Sequence, residues 1–351
     1  MREGPVTNLL ELHDPHGAFE TLEAYLADEG FWGLAGGVAD VFLAYGLAAP
    51  LRRTTAPAPP EPCRLPLLAC RIRPAPAEPE QGTSCYLGGW ERSWDDDGYA
   101  AAIDGVRCAI ARGDVYQVNL VQHLEASFDG DPAGLAAALA PLRPLHTPPL
   151  VGDGWAIVSA SPELFLARRG RKLRTSPIKG TRPAGEQIDD PKDVAEHVMI
   201  VDLERNDLAR VCVPGSVCWP TLLEQRELAG VTHLVSTIEG RLRDEATLAD
   251  ILTATFPGGS VTGAPKIAAL DLIAAHEPVG RGASMGALGT IRSNGDFDLA
   301  LTIRTFAVAE DRIHLWVGGG IVWDSEPETE IEESWVKARP LLAAVGGLVP
   351  V

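Results

Sequence analysis

Helix and strand signals intermix along this chain without the regular strand–helix–strand rhythm of a parallel sheet, and this limits its architecture more than any other feature. The run Asp97 to Arg112 puts Tyr99, Ile103, Val106 and Ile110 on one stripe and predicts a helix. A strand from Val115 to His123 follows the Gly113-Asp114 turn. Trp155 to Ser159 and Leu164 to Arg168 read as a strand pair around a polar turn, with a further short strand at Leu173 to Thr175. Asp190 caps, and Pro191 opens, a helix striped by Val194, Val198 and Val201. Helices are also expected from about Ala246 to Phe256 and from Lys266 to His276. Strands are expected at Ala287–Arg292, Leu299–Val308 and Arg312–Val317. Gly318-Gly319-Gly320 reads as a bend, and Ser325-x-x-Glu328 as a capping box opening the last helix. The pattern predicts an α+β fold.

The 351 residues allow one large domain or two small ones. Residues 54–81 are rich in Pro and Ala and linker-like, apart from a candidate edge strand at Leu65–Ile72. They mark the one boundary, dividing a short N-terminal region (residues 1–84) from a main domain (residues 85–351). With 48 acidic and 30 basic residues the formal charge is −18, which argues against a nucleic-acid partner. No apolar run reaches the roughly 18 residues of a membrane span, and the N-terminus has no signal-peptide pattern. The six scattered cysteines form no C-x-x-C, so a cytoplasmic protein with reduced thiols is expected.

Two acidic helices carry candidate chemistry. Asp193 and Glu196 share one face of the first, and Glu330, Glu333 and Lys337 one face of the second. Such residues complement a helix dipole, or they hold a hard cation such as Mg²⁺ through one or two carboxylates. No Cys/His set suggests zinc. Only five of the 30 basic residues are lysines, and one of these, Lys179, lies in the turn-like Ser176-Pro-Ile-Lys-Gly-Thr-Arg182. It is either a solvated charge or, if buried near another cation, an amine of lowered pKa able to act as nucleophile or base. Phe256-Pro-Gly-Gly-Ser-Val-Thr-Gly-Ala-Pro-Lys266 runs a Gly-rich loop into a helix and offers backbone N–H groups to an anion, but it is not a P-loop.

In order along the chain, these stretches resemble the chorismate-utilising enzymes, a family that includes anthranilate, aminodeoxychorismate, isochorismate and salicylate synthases. The matching pieces are Gly113-Asp-Val-Tyr-Gln-Val-Asn-Leu120, Ser161-Pro-Glu-Leu-Phe165, Pro177-Ile-Lys-Gly-Thr-Arg182 and Ala195 through Asp207. They continue with Thr232-His-Leu-Val-Ser236, Ser260-Val-Thr-Gly-Ala-Pro-Lys266, Ile303-Arg-Thr305 and Gly318 through Glu333. The resemblance covers roughly residues 85–345. It implies an anthranilate synthase component I-like fold, an antiparallel β-sandwich core flanked by helices. The isochorismate and salicylate synthases have a water-activating lysine where this chain has Gln117, so ammonia is the expected nucleophile. Pro-Ile-Lys-Gly-Thr is similar to aminodeoxychorismate synthases, whereas anthranilate synthases read Pro-Ile-Ala-Gly-Thr.

The resemblance therefore implies Mg²⁺-dependent amination of chorismate to 4-amino-4-deoxychorismate, for para-aminobenzoate and folate. Alternatives are an anthranilate or aminodeoxyisochorismate synthase, or an inactive subunit that binds chorismate or a partner. Carried over residue by residue, Lys179 would be the nucleophile, Glu163 the acid that protonates the leaving hydroxyl, and His233 a group lining the pocket. Glu196 and Glu333 would ligate Mg²⁺ directly, with Glu330 and Asp193 acting through water. Gln117, Thr262, Gly263 and Ala264 would face the substrate, the last three cradling its ring carboxylate. Arg304, Lys337, Gly319 and Gly320 would hold the enolpyruvyl carboxylate. Ammonia would come from a separate glutamine amidotransferase subunit. Ser284 and Thr290 depart from the family pattern, standing where relatives carry aromatic rings.

Overall fold

The computed structural model describes residues 9–74, 85–146, 148–183, 185–228 and 231–347. Two antiparallel sheets form the framework. The larger runs in the order Leu9–Leu12, Leu68–Pro74, Gly37–Leu43, Ala287–Arg292, Phe297–Leu301, Leu164–Arg169, Lys172–Ser176, Val231–Arg241 and Ile178–Pro183. Cys218–Leu228 also pairs with Val231–Arg241. The smaller runs Gly263–Ala264, Gln117–Asp129, Arg312–Ile321, Thr305–Ala309, Trp155–Ser159 and Leu150–Gly152, with two short strands on Gln117–Asp129.

The main core lies between the sheets, where Leu166, Leu288 and Leu299 of the larger meet Ile157, Ala307 and Trp316 of the smaller. Helices Asp96–Ala111 and Lys266–His276 pack Tyr99, Ile103, Val106, Ala269 and Ile273 against Val118, Leu120 and Ile321. Helix Pro327–Ala344 packs Trp335, Ala338 and Leu341 against the smaller sheet, beside Leu124, Leu315 and Phe306. This is the expected α+β sandwich flanked by helices.

Local signals held where they depended on neighbours in sequence. Asp190 accepts the Lys192 N–H and caps Pro191–Ala209, while Lys266–His276 and Ala287–Arg292 fall where periodicity puts them. Signals that depended on partners did not hold. Trp155–Ser159 and Leu164–Arg169 do not pair with each other, because the chain leaves the smaller sheet and enters the larger at Ala160–Glu163. The expected strand Leu299–Val308 likewise splits into Phe297–Leu301 and Thr305–Ala309, one in each sheet. Gly318–Gly320 continue the strand Arg312–Ile321 and do not bend. Ser325 makes no capping box: its Oγ accepts the Val322 N–H, and the last helix has Glu326 at its N-cap. Leu68–Pro74 is no edge strand, since Leu9–Leu12 lies outside it.

The division at residue 84 does not separate two cores. Gly37–Leu43 pairs with Ala287–Arg292 along six residues, and Phe42, Leu43 and Leu68 join the main core. All six cysteines are free. Among the described residues no helix is long and apolar enough to cross a membrane.

Candidate active site

The two crossings between sheets set the site. Ala160 N–H donates to the Arg304 carbonyl at 2.9 Å, and Leu301 N–H to the Glu163 carbonyl at 3.0 Å. The crossings are thus bonded to each other, and Glu163 and Arg304 come to lie at one cavity of about 360 Å³. Arg304 occupies the left-handed region (φ 50°), as a sharp turn between two sheets requires.

Lys179 enters from Ile178–Pro183, where a register shift between Lys179 and Arg182 interrupts the pairing with Val231–Arg241. Gly180, at φ +64°, makes that irregularity possible. The shift carries the Lys179 amine inward to Glu196, with Nζ and Oε1 2.6 Å apart. Burial alone pulls the amine's pKa down. Glu196, Glu163 and Glu333 outweigh it and hold the group as an ammonium above the ordinary lysine value. The lowered pKa expected for a lysine near another cation is therefore not found, because its neighbours are carboxylates.

Glu163 is 4% exposed. Its Oε1 accepts from Ser260 Oγ at 2.7 Å and from Ile178 N–H at 3.3 Å. Burial still holds its carboxyl above the usual range, against the pull of Ser260, Lys179, Ile178 N–H and Arg304. A carboxyl raised in this way holds a proton more readily than one in water. His233 donates from Nδ1 to the Gly180 carbonyl at 2.8 Å, and burial keeps its ring neutral.

The four acidic candidates all line this cavity, each beside a cation. Glu333 meets Lys337 at 2.7 Å, Asp193 meets Arg182 at 2.9 Å and Glu330 meets Lys192 at 3.4 Å. Lys337 also donates to the Gly318 carbonyl at 2.9 Å. Lys337 lowers the Glu333 carboxyl, whereas burial raises Glu330 and Asp193. Gly319 and Gly320 leave the space these groups need. A Cβ on Gly320 would lie 2.0 Å from Gln117 Nε2 and 2.5 Å from Glu196 Oε1, and one on Gly319 within 3.6 Å of Lys337, Glu330 and Glu333.

No three of these carboxylates bring oxygens within 4.8 Å of one another. An all-oxygen donor set spread in this way fits Mg²⁺ bound through one or two carboxylates, with water filling the rest of its shell. A different set does converge. His123, Glu125 and His314 place ligand atoms within 4.8 Å, a grouping that spacing along the chain does not reveal. It arises because His314 pairs across the strands with Glu125. Three of its four ring nitrogens are already engaged: His123 Nε2 meets His314 Nδ1 at 3.0 Å, and His123 Nδ1 meets Ser93 Oγ at 2.6 Å.

Some expected residues stand outside the cavity lining. Thr262, Gly263 and Ala264 serve the sheet, the Thr262 and Ala264 carbonyls accepting the N–H groups of Asn119 and Tyr116. Thr262 Oγ1 donates to the Gly258 carbonyl. Gln117 sits behind Gly320 and donates to Glu196 Oε1 at 2.6 Å. Ser284 is fully buried with its hydroxyl on the Thr302 carbonyl, and Thr290 lines a separate cavity with Arg174 and Arg292. Neither substitution touches the central cavity. Sequence reasoning singled out neither Asn119 nor Lys192 as a site residue. Asn119 and Lys192 line the cavity, while Asp207 pairs with Lys266 at 2.6 Å.

Fold and cavity define a chorismate-binding type of protein, and comparison with known proteins agrees. The family model described as chorismate binding enzyme matches residues 57–343, and the chain belongs to that family. It is 42% identical over 273 residues to anthranilate synthase component 1 of Thermus thermophilus, covering 74% of this chain and 59% of that protein. It is 40% identical over 276 residues to aminodeoxychorismate synthase component 1 of Salmonella typhimurium, covering 72% and 58%. The chain thus spans under two thirds of the length of these curated relatives. The anthranilate synthase component I structure from Streptococcus pneumoniae superposes with a TM-score of 0.78 at 27% identity, covering 87% of this chain and 80% of that one.

Proposed function

We propose that this protein is an aminodeoxychorismate synthase component I, converting chorismate and ammonia to 4-amino-4-deoxychorismate and water. Both anthranilate and aminodeoxychorismate synthases are among its relatives. The observation that favours the second is Lys179, a primary amine inside the cavity that also holds Glu163. The pair with Glu196 at 2.6 Å offsets its burial and holds the amine in the cavity.

Chorismate carries two carboxylates and a C4 hydroxyl, and hydroxide leaves poorly. Glu163, protonated, donates to that hydroxyl as the C4–O bond breaks, so that water departs. Lys179, once its ammonium proton has passed to solvent, attacks C2, and the electron pairs of the two ring double bonds shift toward C4 as the oxygen leaves. Ammonia then forms the C4–N bond while the C2–N bond to Lys179 breaks. The new C4 ammonium returns a proton to Glu163, which closes the cycle. His233 lines the pocket beside the reacting ring. Arg304 and Lys337 bind the enolpyruvyl carboxylate, with the backbone of Gly319 and Gly320 close by. Glu196 and Glu333 would hold Mg²⁺ directly, with Glu330 and Asp193 through water; the ion would supply positive charge for the ring carboxylate. The cradle expected of Thr262, Gly263 and Ala264 carries no weight in this reading, since all three stand outside the cavity lining and serve the sheet. A separate glutamine amidotransferase subunit would supply the ammonia.

The test is product identity from chorismate, MgCl₂ and NH₄Cl, resolved by chromatography. The expected product is 4-amino-4-deoxychorismate, lost or redirected in Lys179→Ala. Fluorescent anthranilate from the parent protein would overturn the reading in favour of an anthranilate synthase. The absence of any product despite Mg²⁺ binding would make it a binding subunit.

A further inference from the structure

Three buried acceptor atoms at or beside the cavity have no hydrogen-bond donor among the described residues: Gln117 Oε1, Asn119 Oδ1 and His233 Nε2. Gln117 and Asn119 are 1% and 6% exposed and stand two residues apart on the strand Gln117–Asp129, so their side chains leave the same face. The bond from Gln117 Nε2 to Glu196 fixes that amide's orientation and leaves Oε1 as the open acceptor. His233 uses its N–H on the Gly180 carbonyl, so Nε2 offers a lone pair. Asn119 lines the cavity together with Glu163, Lys179 and His233. Its backbone is tied down on both sides: the N–H donates to Thr262, and the carbonyl accepts from Arg281.

A buried acceptor left without a donor costs about 1–3 kcal/mol. Chorismate does little to relieve this, since its carboxylates only accept and its single hydroxyl is the group assigned to Glu163. The other reactant is suited to the task, because ammonia carries three N–H donors and one lone pair. We propose that Asn119, backed by Gln117 on the same strand face, is the seat of the incoming ammonia. Asn119 Oδ1 accepts one N–H and so leaves the nitrogen lone pair free to face the ring. Neither amide gains or loses a proton. The inference rests on the amination reading given above.

The test is the initial rate against NH₄Cl at saturating chorismate, and against chorismate at saturating NH₄Cl, with no glutaminase present. Asn119→Leu keeps the volume and removes the acceptor. It should raise the KM for ammonium at least tenfold and leave the KM for chorismate within about twofold. Asn119→Asp keeps an acceptor and should hold the ammonium KM near or below the parent value. A change in the chorismate KM equal to that for ammonium, or an unchanged ammonium KM in a folded Asn119→Leu, would overturn the assignment. If Asn119→Leu does not fold, a tenfold rise in Asn119→Asp would do the same. A parent protein that consumes no ammonium removes the amination reading itself, and this proposal with it. An active parent with an indifferent Asn119 removes only the proposal.

Discussion

Lys179 Nζ and Gln117 Nε2 both reach Glu196 Oε1 at 2.6 Å, so a single carboxylate oxygen serves two donors at the centre of the cavity. A cation that takes Glu196 as ligand competes with the lysine for the charge of that carboxylate. Lys179→Ala should therefore bind Mg²⁺ about tenfold or more tightly than the parent, as titration calorimetry with MgCl₂ would show. Glu196→Gln should lose that binding. Equal Mg²⁺ affinity in the parent and Lys179→Ala would mean that the two cations do not compete.

Glu163→Gln keeps the shape and the Ser260 hydrogen bond but cannot supply the proton. Its kcat should fall by roughly 10²–10⁴ while the KM for chorismate changes little, the separation expected when an acid acts mainly in the transition state. Steady-state kinetics on the folded variant decide the matter, and a purely raised KM would make Glu163 a binding group.

A methyl group at Gly320 has no room. It would fall 2.0 Å from Gln117 Nε2 and 2.5 Å from Glu196 Oε1. Gly320→Ala should weaken Mg²⁺-dependent turnover at least tenfold and also lower stability by about 1–3 kcal/mol, because the buried Gln117 amide must shift to admit the methyl group. Gly319→Ala, with its nearest neighbour at 3.4 Å, should be milder. Parallel activity and melting measurements separate the two effects.

Glu204 is buried, and that burial pushes its carboxyl up to about 8. Its partner is Thr175, whose hydroxyl donates at 2.8 Å. The folded state therefore holds a proton that the unfolded chain releases near 4.5. Stability falls as pH rises across that window and levels off above about 8, at a total cost of order a few kcal/mol. Glu204→Gln keeps the acceptor for Thr175 and should flatten the decline. Its gain over the parent should be larger at pH 9 than at pH 5 in denaturant unfolding.

Arg281 and Glu277 form a pair only 2% exposed, and Arg281 also donates to the carbonyls of Asn119 and Val261. Glu277 in turn accepts the Val121 N–H. Removing one partner leaves an uncompensated charge, so Glu277→Ala should cost about 3–5 kcal/mol in urea unfolding. A loss below 1 kcal/mol would show that the arginine finds other compensation.

The sequence by itself determined what depends on near neighbours. The Asp190-Pro191 helix start, the helix Lys266–His276 and the strand Ala287–Arg292 follow from capping chemistry and periodicity, which act within one or two turns. The ordered motifs also named most of the side chains that line the cavity, from Glu163 and Lys179 to Glu333 and Lys337. Pairing between distant strands is a different matter, because hydrogen bonds and buried surface carry no local signature. Only the tertiary structure sent Trp155–Ser159 and Leu164–Arg169 into different sheets, and that separation is what sets Glu163 beside Arg304. Only it drew the N-terminal strands into the main core, aligned His314 with Glu125, and placed carboxylates rather than cations around Lys179. A residue's charge state is set by what surrounds it in space, so the chemistry of Lys179 could be named from sequence but its protonation could not.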